Sequence, residues 1–192
     1  MAADTAVTRT VAGPRPGLAD TGDRRLGQVA ALFTLAVIIH NGDHLRRGAD
    51  LLRADVFWLG TAGTVLEVAL VALIFQRHRL APLAAAAGGL VLASGYLEVH
   101  FLPAHRWLSD SFTSGGRVSP VSWAAASLEV VAALALAVVG LLVFRRRGGL
   151  GYASRPHPEQ RSVAEAVLHP VALVMIVSQL VTLVVSFVQA YG

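Results

Sequence analysis

Two histidines and an aspartate lie together near the end of the first long apolar stretch, at His40, Asp43 and His44. On an α-helix, positions i, i+3 and i+4 share one face, so these three side chains would point in the same direction. Two imidazoles four residues apart, with a carboxylate between them, can hold one divalent metal ion. The alternative is a helix end at which polar side chains meet interfacial water.

Three of the five glutamates lie inside three other apolar stretches. An ionisable side chain inside a bilayer costs at least ~2.5–3.5 kcal/mol on insertion scales, so these carboxylates need partners. We therefore predict one cluster whose members bind a metal ion or lie beside its ligands: His40, Asp43, His44, Glu67, Glu98 and Glu129. The candidate catalytic groups are Glu67 and Glu129, because a glutamate left free of the metal would act as a general base.

Two further histidines, His100 and His105, are weaker candidates for the same cluster. Glu98 and His100 are two residues apart, so on a regular helix they point to opposite sides. Pro103 limits the helix soon afterwards, and an unwound last turn would bring His100 back to the site. His105 and Asp110 belong to the following loop, where a solvated position competes with a role in a lid over the site.

The chemistry of the donors narrows the choice of ion. The chain has no cysteine, which excludes thiolate sites, disulfides and cysteine nucleophiles. Imidazole and carboxylate donors without sulfur suit zinc, iron, manganese or copper(II), and zinc or iron is expected in a helical cluster of this kind. A haem held between His100 and either His40 or His44 is a minor variant.

The elements that must position these residues are membrane spans. The chain has 192 residues, of which 55% are hydrophobic and 15% charged, with a mean hydropathy of +0.60. A soluble domain carries about a quarter charged residues. The apolar excess falls into five blocks of roughly 20 residues, the length that crosses ~30 Å of hydrocarbon. This pattern excludes an ordinary soluble protein and a nucleic-acid-binding one.

The predicted fold class is all-α: a polytopic integral membrane protein with an antiparallel four-helix transmembrane bundle and a fifth transmembrane helix. Short connections between the first four spans favour antiparallel neighbours, and small residues in the third and fourth spans allow close helix contact. The expected segments are a disordered cytoplasmic tail (1–25), the bundle (26–144, with spans at about 26–45, 56–75, 80–102 and 121–144), a cytoplasmic linker (145–164) and a fifth span (165–192) that stands apart.

The arginines set the expected orientation. All sixteen basic residues are arginine, and eleven lie in the tail and in the second and fourth connections, against five in the other two. By the positive-inside rule the N-terminus is cytoplasmic and the C-terminus outside, in the plasma membrane if the source is bacterial. Trp58, Trp107 and Trp123 fall near the outer ends, which agrees. The cluster then occupies the outer half of the spans, as a polar funnel that closes near the midplane.

Hydroxyl groups recur at every fourth position in the fifth span, at Ser178, Thr182 and Ser186. Such a stripe is typical of a helix–helix contact inside a membrane. We expect it to dock this span on the bundle or on another subunit, in a homo- or hetero-oligomer. The lipid bilayer is the other expected partner, and no nucleic acid is expected.

Three functions remain open. In the first, the cluster binds a divalent metal ion and acts on water or on a lipid-soluble substrate, as a metal-dependent membrane hydrolase or oxidase. In the second, the chain is an accessory or structural membrane subunit whose buried carboxylates only pair with histidines. In the third, it is a proton- or cation-coupled transporter, although no acidic residue or histidine continues the path into the inner half of the first four spans.

Overall fold

The computed structural model describes residues 16–48, 54–103, 109–114, 118–154, 157 and 159–191. Within these residues the fold is all-helical and contains no strand. A π-helical turn continues the third helix, and a 3-10 turn lies in the loop that follows it. The elements in chain order are α1 (Pro16–Arg47), α2 (Ala54–Phe75), α3 (Ala81–Tyr96), the π turn (Leu97–Phe101), the 3-10 turn (Phe112–Ser114), α4 (Pro120–Arg146), α5 (Leu150–Ala153), α6 (Val163–Val167) and α7 (Pro170–Tyr191).

Five of the described helical segments are long and apolar enough to cross a membrane, as the sequence predicted: Thr21–Arg47, Ala54–Phe75, Ala81–Phe101, Pro120–Arg146 and Pro170–Gln189. Large apolar side chains on their outer faces stay exposed, among them Leu32, Val65 and Val131 at 63%, 66% and 62%. A helix of a soluble protein would turn such residues towards a core. Length, hydropathy and exposed apolar faces together indicate a multi-pass membrane protein.

The closest helix contact in the described fold joins α3 to α4. A Cβ atom added to Gly89 would lie 2.6 Å from the Ala133 carbonyl oxygen, and one added to Gly140 would lie 2.7 Å from the Ala86 backbone nitrogen. Only glycine permits these two backbones to touch, which is the usual way to gain packing energy where lipid supplies no hydrophobic drive. The small residues of the third and fourth spans therefore serve the close contact that the sequence predicted.

Side-chain contacts at both of its ends show that α1 runs antiparallel to α4. Asp23, near the start of α1, forms an ion pair with Arg147, which follows α4, at 2.7 Å. Asp43, near the end of α1, accepts a hydrogen bond at 3.2 Å from Ser122 in the first turn of α4. α4 begins at this point because Ser119 caps its N-terminus and Pro120 occupies its first position.

The expectation of a disordered tail over residues 1–25 is wrong for residues 16–25, which form the beginning of α1. Residues 1–15 lie outside the described residues. The polar composition of this segment suggested disorder, but one of its charged residues, Asp23, has partners elsewhere in the fold. Asp23 contacts both Arg147 and His157, and such tertiary pairing is invisible to composition.

The fifth span does not stand apart, contrary to the expectation. α7 packs against α1 and α2, and it buries Met175 and Gln179 in the protein. The preceding linker folds back instead of holding the span away, since it contains α5 and α6 and the Arg161 backbone N–H donates to the Gln76 carbonyl oxygen at 2.8 Å. α7 therefore forms part of the same helical assembly as the other spans.

The hydroxyl stripe of α7 does not act as a single contact face. The Ser178 hydroxyl donates to the Met175 carbonyl oxygen of its own helix at 2.9 Å. Thr182 and Ser186 line a cavity inside the protein. Docking of α7 on the other helices instead uses Met175 and Gln179, and association with a second chain stays a prediction.

Candidate metal centre

The last two turns of α1 carry His40 and His44 on one face, as their spacing predicted. The two Nε2 atoms lie 2.9 Å apart, and the rings meet edge to face with centroids 4.5 Å apart. α1 ends just beyond them because Gly48 has a φ of +95°, a left-handed conformation that terminates helices. The Gly48 N–H donates to the His44 carbonyl oxygen at 3.0 Å and so closes the last turn around the second histidine.

His100 reaches the same place because the backbone changes its winding. The π turn holds an extra residue, so the positions after Leu97 face directions that they would not face on an α-helix. His100 is buried, and its ring centroid lies 4.8 Å from that of His40 and 5.5 Å from that of His44. Its Nδ1 donates to the Asp110 backbone carbonyl at 3.3 Å, which leaves Nε2 as the ligand atom.

The three histidines together could hold a metal ion, since one ligand atom from each lies within 4.8 Å of the other two. Two donors that are each about 2.0–2.1 Å from a zinc ion and 2.9 Å apart subtend an angle of about 90° at the ion. The Nε2 atoms of His40 and His44 have this separation. Their geometry therefore suits two adjacent positions of one coordination sphere.

Glu129, on α4, lies beside His40. It is 1% exposed, and its Oε2 lies 3.5 Å from His40 Nε2. Neither Glu129 Oε2 nor His40 Nδ1 has a hydrogen-bond partner within the described part of the chain. An unsatisfied buried oxygen costs about 1–3 kcal/mol, and more when it is charged. A cation bound here would remove that cost.

Asp43 faces two arginines and not the histidines. Its Oδ1 accepts from Arg46 Nη2 at 2.7 Å, and its Oδ2 lies 3.1 Å from Arg47 Nε. The sequence predicted this carboxylate as a ligand, whereas the structure places it where it holds Arg47. The arginines served the sequence prediction only as markers of membrane orientation. Ion pairs of Asp43 with arginines three and four residues later in the same helix were therefore missed.

Asp110 of the loop after the π turn touches two of the three histidines. Its Oδ2 lies 3.5 Å from His100 Nδ1 and 3.9 Å from His44 Nδ1, and it accepts a hydrogen bond from Arg47 Nη2 at 2.6 Å. The same Arg47 nitrogen lies 2.9 Å from His44 Nδ1. A carboxylate behind a metal-binding imidazole fixes its tautomer and raises its basicity. The solvated-loop alternative for Asp110 is therefore not what the structure shows.

Glu67 lies in a hydrogen-bond chain beside the histidines. The Tyr96 hydroxyl donates to its Oε1 at 2.5 Å, and the side-chain amide of Gln179 donates to its Oε2. Asn41 in turn donates to Gln179 Oε1 at 2.9 Å. Tyr96 also interacts with Glu129, so it links the two glutamates. Both oxygens of Glu67 thus have protein donors, unlike Glu129 Oε2.

Sequence reasoning gave no role to Tyr96 or Gln179, although both left a signal. Tyr96 stands four residues before His100, a spacing that places two helical side chains on nearly one face. Gln179 is an amide inside an apolar span, and such a group needs a partner within the protein. Neither signal named the partner, because Glu67 comes from a different helix.

A further predicted ligand, Glu98, is not brought to the cluster. Glu98 is exposed, because the winding that turns His100 inward leaves it on the outside of the π turn. His105 lies outside the described residues. The haem variant also finds no support, since the ring of His100 meets that of His40 in a T-shaped contact that leaves no space for a porphyrin.

A cavity of about 370 Å³ opens beside the histidines. Its polar end contains the three histidines, Glu67, Tyr96 and Glu129. The remaining walls come from α2, α3 and α7 and are mainly apolar. The candidate site therefore combines a metal-ligating cluster with a space that apolar molecules can occupy.

No protein-family model matches this chain, and no curated protein or solved structure matches it. The functional argument therefore depends on the residues of the site and their geometry.

Proposed function

We propose that this chain is a membrane metalloprotein that binds one divalent ion, zinc or iron, through His40, His44, His100 and Glu129. The observation that carries the proposal is the convergence of three imidazoles, whose ligand atoms lie within 4.8 Å of one another. A buried Glu129 oxygen without a hydrogen-bond partner in the described residues lies 3.5 Å from one of them, His40 Nε2. Three nitrogens and one carboxylate oxygen are donors that zinc and iron accept.

The charges around the cluster support a divalent cation. Two arginines, Arg46 and Arg47, face it from the end of α1. Four carboxylates surround it in the described residues: Asp43, Glu67, Asp110 and Glu129. With neutral histidines and all four carboxylates ionised, the group lacks two positive charges, and one divalent ion would supply them. Uncompensated charge inside a membrane is expensive, so this balance favours a bound ion.

A bound ion of this kind would polarise a carbonyl group or activate water, so the proposed reaction acts on water or on a lipid-soluble substrate. The chain itself supplies the remaining parts. The Asp110 backbone carbonyl accepts the Nδ1–H of His100 at 3.3 Å and so orients that ring. Glu67, which is hydrogen-bonded to Tyr96, is placed to accept a proton at the polar end of the cavity.

The proposed membrane arrangement keeps α1 to α4 as an antiparallel four-helix bundle to which α7 adds a fifth wall. The arginine distribution favours a cytoplasmic N-terminus and an external C-terminus, which places the histidines in the outer half. Cysteines introduced at Asp50 and Ser114 should react with a membrane-impermeant thiol reagent in intact cells, and one at Ser154 should not. Reaction at Ser154 alone would reverse the orientation and move the site to the cytoplasmic half.

The deciding experiment measures the metal content of protein purified in detergent without chelator. We expect about one ion per chain in the parent and about a tenth of that or less in His44→Ala and His100→Ala, because each removes a direct ligand. The matched control is His78→Ala, a half-buried histidine between α2 and α3 whose Nδ1 accepts the Leu80 backbone N–H. It should keep its metal.

Circular dichroism of each variant separates loss of metal from loss of fold. A parent protein that is folded, is offered zinc and iron, and still holds no more metal than His44→Ala would contradict the proposal. That result would leave the accessory or structural subunit as the better description.

A further inference from the structure

The cavity beside the histidines differs from a packing defect in how its walls are built. Gly63 on α2 and Gly95 on α3 line it, and a Cβ atom added to either would meet no atom within 4 Å. By contrast, a Cβ atom added to Gly88 would lie 2.6 Å from the Leu70 side chain. Gly63 and Gly95 therefore border open space, whereas Gly88 of α3 borders packed atoms.

The histidine end of this space continues into a set of hydrogen-bonded side chains beside Glu67. Gln179 donates to Glu67 and accepts from Asn41, and Thr64 lies 3.4 Å from Gln179 Oε1. These groups satisfy one another, so they demand no polar partner from a ligand. Apart from the hydroxyl groups of Thr61, Thr182 and Ser186, the rest of the lining is apolar, with side chains such as Leu66. The volume of about 370 Å³ falls within the roughly 300–1,000 Å³ typical of small-molecule sites.

The charge of the polar end restricts the ligand further. A divalent ion at the histidines would leave the surrounding carboxylates and arginines balanced, as argued above. An added anion or cation would then be an unpaired charge inside a membrane, which is expensive. A neutral polar head, such as a hydroxyl or carbonyl group, carries no such cost.

We propose that the cavity takes a neutral, lipid-soluble molecule with one hydroxyl or carbonyl head at the histidine end and an apolar body between α2 and α7. This assignment of substrate class rests on the proposed metal-binding function. The exposed faces of α2 and α7, at Val65 and Val184 for example, lie where such a molecule would be dissolved in the bilayer.

The test uses full-length protein in phosphatidylcholine nanodiscs and a long-chain alcohol that carries a photoreactive diazirine. Irradiation followed by peptide mapping should place the label on cavity-lining residues of α2, α3 or α7. Gly63→Leu should reduce this labelling by at least about tenfold, because added methylenes in a filled apolar pocket have effects of that size. The matched control is Ala69→Leu, an exposed small residue of the same helix that does not line the cavity, and it should label like the parent.

Metal content is measured on the same samples, so the two proposals fail separately. Equal labelling of Gly63→Leu and Ala69→Leu, or stronger labelling by the matched diazirine fatty acid than by the alcohol, would overturn the substrate assignment while the metal proposal stands. Cavity labelling in a protein that binds no metal would support the lipid-soluble ligand and overturn the metal function.

Discussion

The two ends of the helical assembly each bury a histidine beside an arginine and an aspartate, but they differ in how their charges are balanced. At the end where α1 begins, Asp23 lies 2.7 Å from Arg147 and 3.2 Å from His157. One carboxylate thus meets one guanidinium group. At the end where α1 finishes, four carboxylates meet two guanidinium groups and three histidines, next to a cavity.

This difference separates a structural cluster from a candidate functional one. The first cluster pairs one carboxylate with one guanidinium group, so it fixes the start of α1 to the segment after α4. The second lies beside the cavity, and its carboxylates outnumber its guanidinium groups by two. Clusters of ionisable groups beside a pocket are typical of functional sites.

The largest expected effect comes from breaking the Asp23–Arg147 ion pair at the end where α1 begins. Arg147→Ala would leave Asp23 buried without its cation, and loss of one partner of a buried pair costs about 3–5 kcal/mol. Thermal unfolding in detergent should then occur of the order of 10 °C lower. Arg146→Ala, an exposed arginine of the same helix end, is the control and should change the free energy of unfolding by less than about 0.5 kcal/mol. Similar melting of the two variants would show that the pair is not structural.

A smaller effect is expected at the histidine end from Glu67→Gln. The new amide would face the Gln179 amide that now donates to Glu67 Oε2, so one hydrogen bond is lost, at about 1 kcal/mol. Metal content should stay at the parent level, because both carboxylate oxygens already have protein donors. Glu129→Gln, which changes the unpartnered carboxylate, should lose metal instead. Loss of metal in Glu67→Gln would make Glu67 a ligand, as the sequence alone suggested.

The smallest effect concerns the pH dependence of stability at the end where α1 begins. Burial lowers the pKa of His157 below its ordinary value, Arg147 adds to this, and Asp23 opposes it. The unfolded chain therefore binds more protons than the folded protein near that pKa. The contribution of His157 to the free energy of unfolding is thus fully present above about pH 6.5 and is lost as the pH falls. His157→Asn should reduce the fall in melting temperature between about pH 7.5 and 5.5.

The control for this pH effect is His78→Asn, a half-buried histidine at the same end whose Nδ1 accepts a backbone N–H from Leu80. Its pH profile should match that of the parent. A parent whose melting temperature rises on acidification from neutral pH, with the rise abolished in His157→Asn, would reverse the sign assigned to this histidine.

The spans were predictable because hydrophobic length is a local property of the sequence. The fourth span was expected at about 121–144 and extends over Pro120–Arg146, and the second was expected at about 56–75 and extends over Ala54–Phe75. The start of α1 was not predictable, because residues 16–25 depend on partners more than a hundred positions away. Asp23 and Arg147 are 124 residues apart in the chain.

The arrangement of side chains at the candidate site was predictable where one helix carries the information. His40 and His44 share a face by spacing alone, and they meet as expected. Prediction failed for Asp43, whose arginine partners lie three and four residues later, and for Gln179, whose partner lies on α2. Whether His100 faces the site could not be predicted, because a departure from α winding is set by the surrounding packing and not by a sequence period.

The π turn after α3 has a consequence for how relatives of this chain should be sought. A π turn holds one residue more than an α turn, so it is equivalent to a single insertion in a helix. A homologue that lacks that residue would present its histidine in the same direction with ordinary α winding. A search pattern with a fixed interval between Tyr96 and His100 would reject such a homologue. The interval should therefore be allowed to shorten by one position, while the histidines of α1 keep their spacing of four.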